Sequence, residues 1–267
     1  MAGANKKGQT DKLRHGNDIA NISDRFRPAD VLVALALLTR LPLPYPRFDA
    51  TRPAAAAAWA YPLVGAVVGA ILVIAITVLT ALGLPASLAV FLGLALATLG
   101  TGAMHEDGLA DCADGFWGGW TTARRLEIMK DSQIGTYGVL ALVLSMGIRW
   151  QAIVLLMNAD ALFGVIYVEV ISRAAMVWVM YRLPNARKSG LSDQTGRPEA
   201  ATCGVAIALA AAAALLTPAP VPVMFAAILT TFGFARLARS KIGGQTGDVL
   251  GATQQIVAVL TLCIIAA

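Results

Sequence analysis

Within the 267-residue chain, the run His105-Glu106-Asp107-Gly108-Leu109-Ala110-Asp111-Cys112-Ala113-Asp114-Gly115 places three aspartates at i, i+4 and i+7. At about 100° per residue, Asp107, Asp111 and Asp114 share an arc of roughly 60° on one helix face. Carboxylates about 6 Å apart at an effective dielectric near 20 repel by roughly 3 kcal/mol a pair. No lysine or arginine stands within the run to offset that. A bound cation resolves the repulsion, and oxygen-only ligands favour Mg2+ or Mn2+. Mg2+ uses few carboxylates, keeps waters and takes the rest of its shell from substrate phosphates, so the pattern points to phosphate chemistry. A solvated helix end explains one or two such acids better than three in phase. Six of the 16 acidic residues fall in the 105 to 133 segment, Glu106, Glu127 and Asp131 being the others.

The neighbouring residues admit two readings each. His105 is either a general base or a hydrogen-bonded loop histidine. Gly108, Gly115, Gly118 and Gly119 either let backbone approach a ligand or simply make turns. Residues 124 to 138 read as a short amphipathic helix feeding a span, with Lys130 near the acids as a phosphate-holding point charge or a membrane anchor. Gly243-Gly244-Gln245-Thr246-Gly247-Asp248 opens the last span, and a glycine-rich helix N-terminus suits phosphate. Arg149, Glu169 and Arg173 lie inside apolar spans, where a charge costs at least about 2.5 kcal/mol and so faces a cavity or a partner. Glu169 and Arg173, four apart on one face, make an ion pair, unless Arg173 holds a phosphate instead.

The elements that carry these residues follow from composition. Hydrophobic residues make up 57% of the chain and charged residues 14%, against about 25% charged in soluble domains. The mean hydropathy of +0.68 allows about seven spans of roughly 20 residues. Long Leu, Ala, Val and Ile runs lack the alternation of a β-barrel. The expected fold is therefore an all-α, polytopic membrane helical bundle, with spans at about 59 to 81, 85 to 104, 134 to 157, 161 to 181, 201 to 217, 219 to 235 and 249 to 267. Val31 to Leu38 is too short to span and reads as an interfacial or re-entrant helix. Residues 1 to 28 read as a disordered basic cytoplasmic extension, and 29 to 267 as one transmembrane catalytic domain. Nineteen of the 21 Lys and Arg fall before the first span, in 105 to 133, in 182 to 200 and at 236 to 241, and the loops near Gly83, Asn158 and Pro218 carry none. That partition predicts a cytoplasmic N-terminus and a cytoplasmic acidic cluster. The net charge of +5 then reports topology and anionic lipid, with no nucleic-acid partner. Cys112, Cys203 and Cys263 have no metal-ligand spacing and are expected to be free thiols.

The run 105 to 115, followed by Ile128-Met129-Lys130-Asp131-Ser132-Gln133-Ile134-Gly135-Thr136-Tyr137-Gly138, closely resembles the cobalamin 5′-phosphate synthase family (adenosylcobinamide-GDP ribazoletransferase). Leu38-Thr39-Arg40-Leu41-Pro42-Leu43-Pro44, Tyr61-Pro62-Leu63-Val64-Gly65 and the 243 to 248 motif agree with it, so the likeness covers about residues 30 to 255. The stretch 183 to 190 matches the family's usual Pro-Tyr-Ala-Arg-x-x-Gly only loosely. The resemblance implies an enzyme of the bacterial cytoplasmic (inner) membrane in which a hydroxyl of α-ribazole or its 5′-phosphate attacks adenosylcobinamide-GDP and GMP leaves. Mg2+ is the implied cofactor, with Asp107, Asp111 and Asp114 on the metal and Glu106, Asp131 or Asp248 completing or supporting the site. Lys130, Arg173 and Arg187 would hold phosphates, Asp131 and Thr246 would contact substrate, and His105 or a carboxylate free of metal would serve as base. Partners beyond the substrates and the bilayer would be a second copy of the chain and other enzymes of the cobalamin pathway.

Two rival classes fit less well. A CDP-alcohol phosphotransferase needs Asp-Gly-x-x-Ala-Arg, whereas Asp107-Gly108-Leu109-Ala110 is followed by Asp111, and a prenyltransferase needs a second aspartate-rich motif that Asp193 and Asp248 do not make. A transporter would put its acids at mid-membrane, whereas the densest acids here lie at a span end.

Overall fold

The computed structural model describes residues 25–43 and 52–267; most of the basic stretch expected as an extension, residues 1–24, lies outside them. Among the described residues there are no strands, only helices: α1 (Ala29–Leu38), a 3-10 helix (Ala54–Ala60) running into α2 (Tyr61–Ala81), α3 (Ala86–Thr101), α4 (Met104–Gly118), α5 (Thr122–Ile128), α6 (Thr136–Asn158), α7 (Gly164–Arg182), α8 (Leu191–Thr195), α9 (Ala200–Leu215), α10 (Pro220–Ile242) and α11 (Gly247–Ala266). The all-α membrane bundle is as the hydropathy requires. The two most enclosed helices, α7 and α11, form its centre, and α2, α4, α6, α9 and α10 surround them.

The span count differs from the expected seven. Among the described residues five helices are long and apolar enough to cross a membrane, six if α3 and α4 count as one bent span. The apolar run at 85 to 104 is not one straight helix: α3 stops at Thr101 and the chain turns by 87° into α4. Gly102 closes α3 in the left-handed region, at φ 67°, and Ala103 follows at φ 55°. Such a conformation is cheap for glycine and costs an alanine about 1 kcal/mol or more. The α9 helix, expected to span, has 16 residues, roughly 24 Å of rise where a full crossing takes about 30 Å.

Helix α1 is short, as expected, and is anchored to the bundle by its buried Asp30, which accepts from Trp59 Nε1 at 2.8 Å and pairs with Arg52. The chain leaving α1 is tied to the end of α3, with Arg40 N donating to Gly100 O at 2.7 Å. Described residues of all four basic segments meet at one end of the bundle. Arg25 approaches Glu199 at 3.5 Å, Arg125 donates to Lys241 O at 2.9 Å, and Arg187 donates to Leu126 O at 3.0 Å. The three cysteines are free.

The charges inside the bundle neutralise one another. Arg149 on α6 donates to Glu169 Oε1 on α7 at 3.0 Å and lies 3.4 Å from Glu106 Oε1 on α4, while Arg173 pairs with Glu169 one turn away. Gln255 on α11 donates to Glu106 at 2.9 Å, and Gln254 donates to Glu169 at 3.2 Å. Two glutamates and two arginines thus tie three helices together, and Gln254 and Gln255 bring in α11 as a fourth, as a medium without water demands of any charge it holds.

Candidate active site

At the end of the bundle where the basic segments meet, a cavity of about 240 Å3 opens between the start of α4, the 185–193 loop and the start of α11. Asp107 and Asp248 face it together with Arg187 and Asp193. Asp111 lies half-buried one turn beyond Asp107. Burial and the nearby charges of Asp248 and Asp107 push its carboxyl up to about 7, against the opposing pull of Arg187. Asp107 and Asp111 share their helix face for the local reason anticipated, the 3.6-residue period.

Asp248 comes from another helix, and Gly108 decides how near it stands. A Cβ at residue 108 would lie 2.7 Å from Asp248 O and 2.9 Å from its Cα, so only glycine lets α4 lie against the first turn of α11. This glycine serves helix contact, as does Gly115 against the Met129 side chain, where the sequence also allowed approach to a ligand. The first turn of α11 is held by Thr246, whose hydroxyl accepts from Val249 N at 3.3 Å and donates to Asp248 Oδ2 at 3.1 Å. Arg187 reaches to 3.5 Å from Asp248 Oδ2, and its buried Nε–H has no acceptor among the described residues. It is therefore a guanidinium at the cavity with a donor to spare for an anion.

Other expected site residues stand elsewhere. Glu106, one residue from Asp107, is rotated by about 100° and points into the bundle at Arg149 and Gln255. Arg173 is 1% exposed and committed to Glu169, so the ion-pair reading of that residue holds and the phosphate reading does not. Asp114 spends both oxygens on backbone amides, accepting from Gly135 N at 2.7 Å and Gly138 N at 2.9 Å, which anchors the start of α6. Lys130 and Asp131 are exposed in the turn between α5 and α6, where Asp131 Oδ1 accepts from Gln133 N at 3.1 Å. His105 is buried on the far side of Met104, in the wall of a second cavity.

Asn185, Gln245 and Ser192, to which sequence reasoning assigned no individual role, complete the cavity. Asn185 and Gln245 form an isolated parallel bridge, with Ala186 N donating to Gln245 O at 2.8 Å and Gln245 N to Pro184 O at 2.9 Å. Ser192 donates to Gln245 Oε1 at 2.7 Å, and Asn185 donates to Asp193 at 3.1 Å. These contacts clip the 183–195 segment onto the start of α11 and carry Arg187 to the acids. Sixty residues separate the bridged pair, and no local pattern announces it.

The donor set suits a hard cation. Among the described residues no three His, Cys, Asp or Glu side chains close around one point. Asp107 and Asp111 from α4 and Asp248 from α11 instead offer carboxylates from two sides, as fits a hydrated Mg2+ that finishes its shell with water and phosphate. Burial first, and then repulsion from Asp248 and Asp107, raises Asp111, and such an ion would relieve the repulsion.

The family model for cobalamin-5-phosphate synthase matches residues 30–266. The chain belongs to that family. Proteins named adenosylcobinamide-GDP ribazoletransferase from Brucella canis, Brucella suis and Brucella abortus are each 42% identical to it over 239 residues, covering 85% of this chain and 92% of theirs. No solved structure matches. In this cobalamin-5-phosphate synthase family member the match takes in the whole bundle from α1 to α11, with every residue of the acidic cavity.

Proposed function

We propose that the protein is an adenosylcobinamide-GDP ribazoletransferase, catalysing the final assembly step of cobalamin. A ribose hydroxyl of α-ribazole, or of its 5′-phosphate, attacks the phosphorus bonded to the cobinamide side. A new P–O bond forms there, the P–O bond to GMP breaks, and the hydroxyl proton passes to a carboxylate free of metal. The observation that carries this reading is the convergence of Asp107, Asp248 and Arg187 at one cavity, with Asp111 one turn beyond Asp107, in a chain that belongs to the family. Displacement at a diphosphate needs negative charge neutralised on both the attacked and the departing phosphate. Arg187 supplies part of that, and we propose a hydrated Mg2+ between the carboxylates of α4, Asp107 or Asp111, and Asp248 of α11 for the rest. Bound there, the ion would act as a Lewis acid toward phosphate oxygens.

The gathering of the basic segments at the cavity's end supports an active site facing the cytoplasm, in the cytoplasmic membrane. The buried charges favour an enzyme over a transporter, since Glu106, Arg149, Glu169 and Arg173 are spent on one another. The test is GMP release, followed by mass spectrometry, from adenosylcobinamide-GDP plus α-ribazole phosphate by the purified protein with and without Mg2+. Wild type releases GMP only with Mg2+, and Asp111→Asn releases at most about 1% of that, as expected when a group stabilising the transition-state charge is lost. A folded wild type that forms no GMP refutes the assignment.

A further inference from the structure

A third cavity, of about 270 Å3, lies at the same end of the bundle, with Arg25, Arg52, Arg197, Glu199 and Thr202 in its wall. It shares no lining residue with the acidic cavity. Two apolar helices begin beside it, the 3-10 helix that leads into α2 at Ala54 and α9 at Ala200. Hydrocarbon begins where such apolar runs begin, so the cavity stands at the level of the lipid headgroups. Its donors outnumber its acceptors. Arg25 lies 3.5 Å from the exposed Glu199, and Arg52 is paired with the buried Asp30. Arg197 has no carboxylate partner among the described residues. Its Nε–H donates to Tyr181 O at 2.7 Å, and its guanidinium lies 5.5 Å from the centre of the Tyr181 ring. The guanidinium is thereby held in place, and its terminal nitrogens make no hydrogen bond among the described residues. Thr202 is 2% exposed, and its hydroxyl likewise makes no hydrogen bond among them. A buried hydroxyl left unpaired is unfavourable, so a partner is expected. Glu199, at the cap of α9, makes no side-chain bond to the first turn. The first amides of this 16-residue helix are therefore open too.

A guanidinium, a hydroxyl and a helix N-terminus around one cavity call for a compact anion with several acceptor oxygens, and a tetrahedral phosphate can meet all three at once. We infer that this cavity binds the phosphate of an anionic phospholipid headgroup, with Arg197, Thr202 and the first amides of α9 as its donors. Two features favour the lipid as the source of that phosphate. The depth is right, because the acyl chains of a lipid held here start where the apolar helices start. The charge is right as well. With Arg25 and Arg52 paired, the uncompensated charge is that of Arg197 plus about half a unit from the end of α9. That matches the single charge of a phosphodiester better than the double charge of free phosphate. A zwitterionic choline headgroup would instead bring a cation among the arginines. The site also bears on the acidic cavity, since one segment of chain runs from Arg187 there to Arg197 and Glu199 here. A lipid at this end fastens to the membrane surface the segment that carries Arg187 to the acids.

The test is native mass spectrometry of the full chain in a neutral detergent, titrated with phosphatidylglycerol or with phosphatidylcholine of the same acyl chains, beside calorimetric titration with inorganic phosphate. Wild type retains one phosphatidylglycerol at least about fivefold more tightly than phosphatidylcholine, the worth of one unmatched arginine near an anionic headgroup. Arg197→Gln and Thr202→Val each weaken that lipid about tenfold, as expected when a hydrogen bond to a charged group is lost. The two changes lie in different parts of the wall, which guards against a folding artefact in either, and Thr202→Ser keeps the binding. Arg239→Gln, at an exposed arginine of the same end that does not border the cavity, leaves it unchanged. Equal retention of the two lipids by wild type, wild-type retention in both cavity variants, or equal losses from Arg239→Gln and Arg197→Gln overturns the proposal. Binding of inorganic phosphate that depends on Arg197 and Thr202, with no preference for phosphatidylglycerol, overturns the lipid as its source. None of these measurements uses turnover, so their outcome stands apart from the transferase reading.

Discussion

Gly108→Ala probes the joint on which the site depends. The added Cβ would stand 2.7 Å from Asp248 O and 2.9 Å from Asp248 Cα, both backbone atoms in the first turn of α11 that no rotamer change can move. Ordinary contact begins near 3.4 Å, so α4 and α11 must part by roughly half an ångström or more, and overpacking of this kind typically costs about 1–3 kcal/mol. Alanine is intrinsically better than glycine in a helix by about 0.5–1 kcal/mol, which offsets part of the loss. The functional effect should exceed the structural one, because the displacement acts directly on the spacing between Asp107 and Asp248. A misplacement near 1 Å can cost on the order of 100-fold in rate. We expect kcat/KM to fall 10- to 100-fold, with a raised Mg2+ requirement and a drop of a few degrees in melting temperature. The internal control is Gly118→Ala at the end of the same helix, whose new Cβ would meet only Ile128 Cδ1 at 3.5 Å, an ordinary contact. It should keep wild-type activity. GMP release across a Mg2+ titration, with thermal unfolding in the same detergent, reads both variants. Wild-type activity and Mg2+ requirement in Gly108→Ala would refute the close crossing of α4 and α11 as what sets the site.

Three further outcomes follow from the same geometry. Arg149→Met strands Glu106 and Glu169 with Arg173 as their sole cation, so a loss of about 3–5 kcal/mol is expected in denaturant unfolding; adding Glu106→Gln restores neutrality and should recover at least about 1 kcal/mol, and no recovery would contradict the pairing. Asp111, pushed up to about 7, is mostly protonated at pH 6 and ionised at pH 8. Because a metal needs the carboxylate, half-saturating Mg2+ should fall by up to about tenfold per unit as pH rises toward 7 and level off above, and Asp111→Asn, measured by Mg2+ binding, should flatten that dependence. Asp114→Ala removes the acceptor for two amides at the start of α6 and should cost about 0.5–2 kcal/mol; its Mg2+ affinity should change far less than that of Asp107→Ala, and an equal loss would place Asp114 on the metal.

What the sequence alone determined is local or cumulative. Hydropathy summed over long windows suffices for a helical membrane bundle, the charge partition for the gathering of basic segments at one end, and the helical period for the shared face of Asp107 and Asp111. The Glu169–Arg173 pair was legible for the same reason, since four residues make one turn. The tertiary structure decided what depends on contacts between distant segments. Hydropathy averages across a bend, so the 87° turn at Gly102 and Ala103 was hidden in an apolar run. Side-chain type cannot say which carboxylate meets which cation: Glu106 turned inward because Arg149 and Gln255, 43 and 149 residues away, wait there, and Asp114 was claimed by two amides beyond the next helix. Asp248 and Arg187 reach the acids of α4 only because Gly108 admits one backbone and the Asn185–Gln245 bridge fastens the other. Burial and pairing are properties of the folded chain as a whole, and they separated the acids that line the cavity from those that hold the protein together.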